Sequence, residues 1–529
     1  MDIEKNLIGL GYLWLLLAAI LFLMGWVTPY ISIPLCLILV FCTLKAWWQT
    51  STIQTPKKLQ IIPIGLLALL AFGCSFYSGI TGHFPQHILD MAQRNAVYGN
   101  LVRADWPIIL PDGRLFIYYF GAYLTPAFLS KVFGYSTAPY LLLFWNALAF
   151  FIAFSLIYLQ TQRTWSSWIC ILLILCLTDP INTLHPLRSL LRDLSGISFN
   201  MDGMAGSLLM GCWTTTNHTP GILLITCLLF HKRISHIFLP ILGVITVMIS
   251  VFGAISLLPF FIYKYLCCTN ISPTATPFPS GTKTFFSTIE GYCSIILAVI
   301  IALYHMCSEG DLLITFSFLV TYGKPFSYIL AKTFFKTFLL AGTLIAPIFW
   351  VRKKNPLFVG ILLCSILAIN LIFIGNGGPN ELAFKGNTAL LIISCFGWIH
   401  TLEEGPKHYR NLTWILLSIF VIHTTVTNLA PRIMSYGKKE ENINNPFNGH
   451  LYHPGTLLDQ SVPKSKAALI PGILYNKPGE SRQILPFSLL PPEQPGLYNQ
   501  PASFTPRNSF LKRVPSNSNL QPIRLFTND

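Results

Sequence analysis

Asp90 and Arg94 stand four positions apart in a long polar stretch, 79–119, that also carries Arg103, Asp105, Asp112 and Arg114. On a helix that spacing sets both side chains on one face, where they can form an ordinary salt bridge. A carboxylate held beside a membrane surface can also act as a general base toward a hydroxyl or amine. Both readings of Asp90 stay open at this point. Asp105 precedes Trp106-Pro107 and suits a turn cap, and Asp112 in Pro-Asp-Gly is a turn residue. His83, His87 and Asp90 read HxxxHxxD, a spacing that can hold a metal on a continuous helix. Pro85, between the two histidines, opposes that continuity.

A second stretch, 375–386, reads GNGGPNELAFKG. Its glycines permit close backbone approach, and Asn380, Glu381 and Lys385 then open an apolar run. Charge at such a depth is costly and is often kept for function. Lys385 above a helix N-terminus could meet a lipid-linked phosphate, or its stem could simply snorkel. His218, in TTTNHTPG, stands at the entrance of another apolar run. It could contact a phosphate or an acceptor, or it could cap and pack. Tyr118 and Tyr119 close the first stretch.

Composition tells what must hold these groups. The chain has 529 residues, 53% hydrophobic and 10% charged, with mean hydropathy +0.58. Soluble domains carry about 25% charged residues, so the chain reads as an all-α polytopic membrane protein embedded in a lipid bilayer. Its net charge of +15 reads as basic cytoplasmic loops rather than nucleic-acid binding. The 13 cysteines are scattered through apolar segments without CxxC spacing, which indicates neither a disulfide framework nor a thiolate metal site.

Apolar runs at 7–28, 30–49 and 61–80 are long enough to cross, a crossing taking about 20 residues. The first follows Lys5 and reads as a retained signal anchor. Further spans are expected at 117–134, with Lys131 near an inner junction, and at 138–160, 165–178 and 237–263, while 220–230 is an apolar run and segments within 165–231 can enter without crossing. Others are expected near 289–306, 312–330, 332–350, 356–374, 387–401 and 411–429, for roughly eleven to thirteen crossings. Lys57/Lys58, HKR at 231–233 and RKK at 352–354 mark the cytoplasmic side. That puts the N-terminus in the cytoplasm and both polar stretches outside, in a bacterial inner membrane. The segment 179–217 is too polar for lipid, and its leucine stripe fits either an interfacial helix or a packed extramembrane one. Residues 1–430 therefore form the membrane domain. The Pro/Asn/Ser-rich residues 431–529 read as an extended periplasmic tail.

The runs LDMAQRNAVYGNLVRADWP and YYFGAYLTPAFLSKVFG, with NHTPGILL and GGPNELAFKGNTALL, resemble uncharacterised bacterial polytopic proteins. Those in turn look like GT-C type glycosyltransferases, which use polyprenyl-phosphate sugars. The resemblance implies a GT-C-like helical bundle with a long catalytic first external loop. It implies inverting sugar transfer from a polyprenyl-phosphate donor to a lipid, glycan or protein acceptor. Under it Asp90 is the base, and Lys385, Arg94, Arg103 and His218 attend the donor phosphate. Asp105, Trp106, Tyr118, Tyr119, Asn380 and Glu381 line the site. Two departures stand out: Glu381 and Lys385 replace an Asp and an Arg, changing reach and fork geometry, and Asp90 is followed by Met91 instead of a second acid. A transporter or flippase of a lipid-linked substrate, and a non-catalytic envelope assembly protein, are the alternative classes. The sequence names no sugar, acceptor, oligomeric state or cofactor, and a divalent metal stays open through His83 and His87.

Overall fold

A computed structural model of the chain describes residues 2–50, 60–78, 97–108, 115–161, 163–177, 218–269, 288–306, 313–320, 325–353, 355–375, 380–430 and 461–462. The expectations for 179–217 lie outside the described residues, as do nearly all of those for the tail. Helices dominate the described residues, and five of those described are long and apolar enough to cross a bilayer. They include Ile3–Trp26 (α1), Pro29–Gln49 (α2) and Ala138–Gln160 (α5, entered through a short turn). The other two are Phe326–Ile345 (α11, extended to Lys353 by a 3-10 segment) and Glu381–Glu404 (α13). Shorter apolar helices fill the bundle: Ile61–Tyr77 (α3), Gly121–Phe133 (α4), Thr164–Cys176 (α6), Thr219–Phe230 (α7), Leu239–Ile249 (α8), Val251–Thr269 (α9), Ile289–Met306 (α10), Pro356–Leu371 (α12) and Lys407–Thr424 (α14).

Local chemistry sets many of these starts. The Asp2 side chain caps α1 by accepting from Lys5 N, and Asn355 and Asn380 do the same for α12 and α13. Proline at the first helical positions opens α2, α5, α7, α8 and α12, where its missing N–H costs nothing. α1 and α13 are apolar on nearly every face and lie in the interior. α2 instead exposes Tyr30, Ile33, Leu37, Phe41, Leu44 and Trp48 along one stripe. In water such a stripe would aggregate, whereas lipid satisfies it. The chain is thus a multi-pass helical membrane protein.

The contacts between helix ends sort the bundle into two ends. At one, Arg233 bonds Asp2 and Glu4, Lys5 Nζ donates to Trp48 O, and Gln160 Nε2 donates to Phe230 O. Lys45 meets Glu290 at 2.6 Å, Arg163 N meets Glu403, and Trp350 bonds Thr401 at this same end. At the other, Trp26 packs on Trp106 and Phe120, Ser75 donates to Leu143 O, Tyr98 donates to Ala138 O, and Thr424 donates to Cys176 O.

Three of the expected spans differ. The apolar run 237–263 is not one crossing but a helical hairpin, α8 and α9, broken at Ser250. Ser250 has extended backbone (φ −162°, ψ 113°); its N–H ends α8 on Thr246 O, and its Oγ accepts from Gly253 N to start α9. The arms run back to back, Gly243 lying against Phe261, and Lys264 Nζ reaches His231 O at the basic end. With 11 residues, α8 rises about 16 Å, roughly half the bilayer core. The tip fits tightly: a Cβ on Gly121 would fall 2.8 Å from Met248 O, and one on Gly253 would fall 2.4 Å from Ile222.

The expected span at 312–330 is broken as well, since its first described part, 313–320, is a strand followed by a 3-10 turn. Leu313–Phe316 (β2) pairs antiparallel with Ile372–Gly375 (β3), and Asn380 Nδ2 donates to both Ile372 O and Ser317 Oγ beside that pairing. These two departures cancel. One expected crossing returns, another stays at the Trp106 end, and α11 still ends at Arg352 on the basic side. The third departure is at 117–134, where α4 has 13 residues, and its Lys131 donates to Ala104 O beside Trp106. Lys131 therefore lies at the Trp106 end rather than at an inner junction. From the tail, Ser461–Val462 (β4) pairs with Leu115–Phe116 (β1).

Candidate functional site

The Asn380 cap fixes the first turn of α13. Its Oδ1 accepts from Ala383 N at 3.2 Å, while its Nδ2 donates to Ile372 O at 2.8 Å and Ser317 Oγ at 3.1 Å. With those bonds made, Asn380 is an architectural residue that aims the helix. Glu381 and Lys385 follow on one face, and their Oε2 and Nζ are 2.6 Å apart. Glutamate in the first turn also meets the positive end of the helix dipole. The ammonium lies 5.6 Å from the Tyr119 ring centre and 5.2 Å from that of Phe252, just past the hairpin tip. Two aromatic faces and one carboxylate thus surround a largely buried lysine.

Tyr119 is held by its neighbour. The Tyr304 hydroxyl accepts from Tyr118 N at 2.9 Å and donates to Tyr118 O at 3.0 Å, clamping that peptide to the end of α10. Phe22, Phe120 and His305 pack round the Tyr304 ring. The Tyr119 ring then lies 5.0 Å from His218 and 6.3 Å from His305. His218 is 4% exposed and its Nδ1 is 2.7 Å from Ile249 O, the last carbonyl of α8. A carbonyl only accepts, so Nδ1 carries the hydrogen. Lys385, Glu381, Tyr119, His218 and His305 therefore form one continuous cluster at the Trp106 end.

The residues singled out from sequence divide accordingly. Lys385, Glu381, Tyr118, Tyr119 and His218 come together, with Asn380 as their support. Trp106 is wholly buried, donates to Leu101 O at 2.9 Å and packs on Trp26 as a core anchor. Arg103 stacks its guanidinium 4.2 Å from the Tyr135 ring. Asp105 stands half-buried just before Trp106. Asp90, Arg94, His83 and His87 lie outside the described residues. His305, Tyr304 and Phe252 escaped the sequence reading. An ionisable residue near the end of an apolar run was the available signal for His305.

The opposite end carries a second ionic group. Arg233 Nη1 is 2.9 Å from Glu4 Oε2, and His231 Nε2 is 2.9 Å from Glu4 Oε1. Arg233 N donates to His231 Nδ1 at 3.2 Å, which leaves Nε2 as the protonated nitrogen. Burial tends to raise the Asp2 carboxyl, but the hydrogen bonds from Arg233 and Lys5 N together with the charges of Arg233 and Lys5 outweigh it and hold it below the ordinary value. These groups tie α1 to the loop before the hairpin, far along the bundle from Lys385.

Compared with known proteins, the chain matches no family model, no curated protein and no solved structure.

Proposed function

We propose that the protein is a membrane glycosyltransferase that moves a sugar from a polyprenyl-phosphate donor to a lipid, glycan or protein acceptor. The observation that carries this reading is the Glu381–Lys385 pair at 2.6 Å, set against Tyr119 and Phe252 at one end of an apolar bundle. A cation with aromatic walls suits a phosphate on a long isoprenoid chain. The phosphate would compete with Glu381 for the ammonium, and Tyr118 and Tyr119 offer flat faces to a sugar ring. The resemblance to GT-C type enzymes in the first loop and at 377–391 supports the same class.

The bundle also suits the reading. Helices α1–α3, α5–α7 and α10–α14 are read as roughly eleven crossings, α7 entering short from His218, with α4 and the hairpin confined within. Lys5, Lys232, Arg233, Lys264, Arg352 and Lys407 gather at one end, which supports a cytoplasmic reading of that end and of the N-terminus. Lys385 then faces the periplasm of a bacterial inner membrane. A lipid-linked substrate transporter is the second reading, favoured by one observation: short helices α7 and α8 meet at His218 inside the bundle, as discontinuous helices do in transporters.

Purified full-length protein in nanodiscs, offered radiolabelled polyprenyl-phosphate sugars, separates the two. Sugar appearing on an acceptor supports transfer. Movement of the intact donor between leaflets without transfer supports transport. Lys385→Met keeps the apolar stem and should weaken donor binding by roughly 1.5–3 kcal/mol, the worth of a charged hydrogen bond. Unchanged donor binding would remove Lys385 from the site.

A further inference from the structure

We propose that the groove between α1 and α2 binds one anionic phospholipid of the leaflet at the basic end, its phosphate at Lys5 and an acyl chain along the groove. The site is separate from the Lys385 cluster and does not depend on the transfer reaction. The groove has a volume of about 440 Å³, within the roughly 300–1,000 Å³ of small-molecule sites. It runs from Asn6 to Ile20 on α1, about 21 Å at the helical rise. That is the depth of one leaflet with its interface, since the whole hydrocarbon core is roughly 30 Å thick.

The walls are apolar in depth and polar at the mouth. Leu13 and Leu17 on α1 line it with Val40 and Leu44 on α2. Leu13 is 45% exposed and Leu44 51%, so the groove opens sideways onto the stripe of α2 that faces lipid. Thr43 also lines it, but its Oγ1 donates to Leu39 O at 2.7 Å and the hydroxyl hydrogen is spent within α2. Such walls reward an alkyl chain and penalise a polar ligand.

At the mouth, helical spacing brings a charge into line. Lys5, Gly9 and Leu13 are four apart, so Lys5 continues the groove-facing side of α1 by one turn. Trp47 closes this end, its ring so near α1 that a Cβ on Gly9 would fall 2.6 Å from it. The Lys5 ammonium stands 5.7 Å from the Trp47 ring centre and donates one hydrogen to Trp48 O at 3.1 Å. Its two other N–H groups suit a phosphate oxygen. Asp2 and Glu4, the acids of the same turn, are held by Arg233 and His231. Among the described residues no carboxylate forms a salt bridge with Lys5. The Asn6 amide lines the mouth as well, and tryptophans at a span end mark the headgroup level. A cation and an amide above an alkyl channel match an anionic headgroup above its chain.

Native mass spectrometry of delipidated full-length protein reads the first bound lipid, with dioleoyl-phosphatidylglycerol and dioleoyl-phosphatidylcholine as probes. Wild type should bind the anionic lipid roughly fivefold tighter, the worth of about one lysine at a membrane surface. Lys5→Gln removes the charge and should bring the two lipids to within about twofold of each other. Lys232→Gln, an exposed lysine at the same end but outside the groove, should keep the preference. Leu13→Trp fills the groove and should weaken both lipids by about tenfold, since the chain loses the apolar area it would bury. Should Leu13→Trp fail to fold, Leu44→Trp fills the groove from the other wall and should show the same loss. Equal affinity for the two lipids in wild type, a preference that survives Lys5→Gln, or binding unchanged by a filled groove would overturn the site. So would a disulfide between copies carrying Leu13→Cys in a cysteine-free background, because a second copy would then cover the groove.

Discussion

Asn370 and Asn387 exchange two amide hydrogen bonds in the interior of the bundle. Asn370 Nδ2 donates to Asn387 Oδ1 at 3.1 Å, and Asn387 Nδ2 donates to Asn370 Oδ1 at 2.9 Å. Both residues are buried, and the pair ties α12 to α13 two positions after Lys385. Replacing one asparagine by leucine strands the other amide in an apolar setting, which costs about 1–3 kcal/mol. The double leucine variant should recover much of that loss, because nothing polar is then left unpaired. A double-mutant cycle on thermal unfolding in detergent measures it, and strictly additive losses would show that the two amides act separately.

Glu381 should act as a counter-ion that an anionic ligand displaces. Glu381→Gln leaves a neutral group beside the ammonium, so a phosphate no longer competes with a carboxylate. Donor affinity should then rise by a few-fold to about tenfold, the range of a partly exposed ion pair. In Lys385→Met the same change should have no effect on the donor. Weaker donor binding in Glu381→Gln would mean that the carboxylate holds the lysine in place instead of guarding it. Binding measured by scintillation proximity, with and without inorganic phosphate as competitor, distinguishes the two.

Much of this frame was legible in the residues, and the misses have a common cause. α1 and α2 could be read because each apolar run is long and the Thr28-Pro29 junction separates them. Glu381 and Lys385 could be read because charge at the mouth of an apolar run is conspicuous. Ser250 could not, since Ile249-Ser250-Val251 sits within unbroken hydropathy and the break depends on His218 and Gly121 arriving from elsewhere. The LITF segment at 313–316 is as apolar as a span, and only its pairing with 372–375 makes it a strand. Hydropathy reports what lipid tolerates, whereas these departures were set by partners distant in sequence.

Arg233 should be the costliest single surface-proximal residue to remove. Its guanidinium is buried against Glu4, which is 4% exposed and also lies 2.9 Å from His231 Nε2. Arg233→Met keeps the volume but leaves a buried carboxylate with one partner fewer, a loss on the order of 3–5 kcal/mol. The Asp2 part of the cluster adds a pH dependence whose sign is fixed. Its folded-state pKa is depressed below the ordinary 3.8. Its contribution is therefore fully present above that value and is lost as pH falls through the depressed one. Amide exchange at residues 3–8 should rise in that acid window in wild type and lose this step in Asp2→Asn. A step that persists in Asp2→Asn would assign it to another carboxylate.

The hairpin makes the strongest demand on topology. If 239–269 rises and returns, a residue before it and a residue in its second arm share one side of the membrane. Single cysteines at Lys232 and Lys264, placed in a cysteine-free background, should both react with an impermeant maleimide from the cytoplasmic side. Cysteines at Lys131 and Asn380 should react from the other side, because Lys131 meets Ala104 O at the Trp106 end and Asn380 caps α13 there. The pair 232 and 264 carries the test. A continuous crossing at 237–263 would place 264 opposite 232 and would force α10 to run the other way. Lys45 and Glu290, 2.6 Å apart, could not then meet. Labelling of 264 from the periplasm would break the hairpin, and with it the floor on which His218 and Phe252 are set.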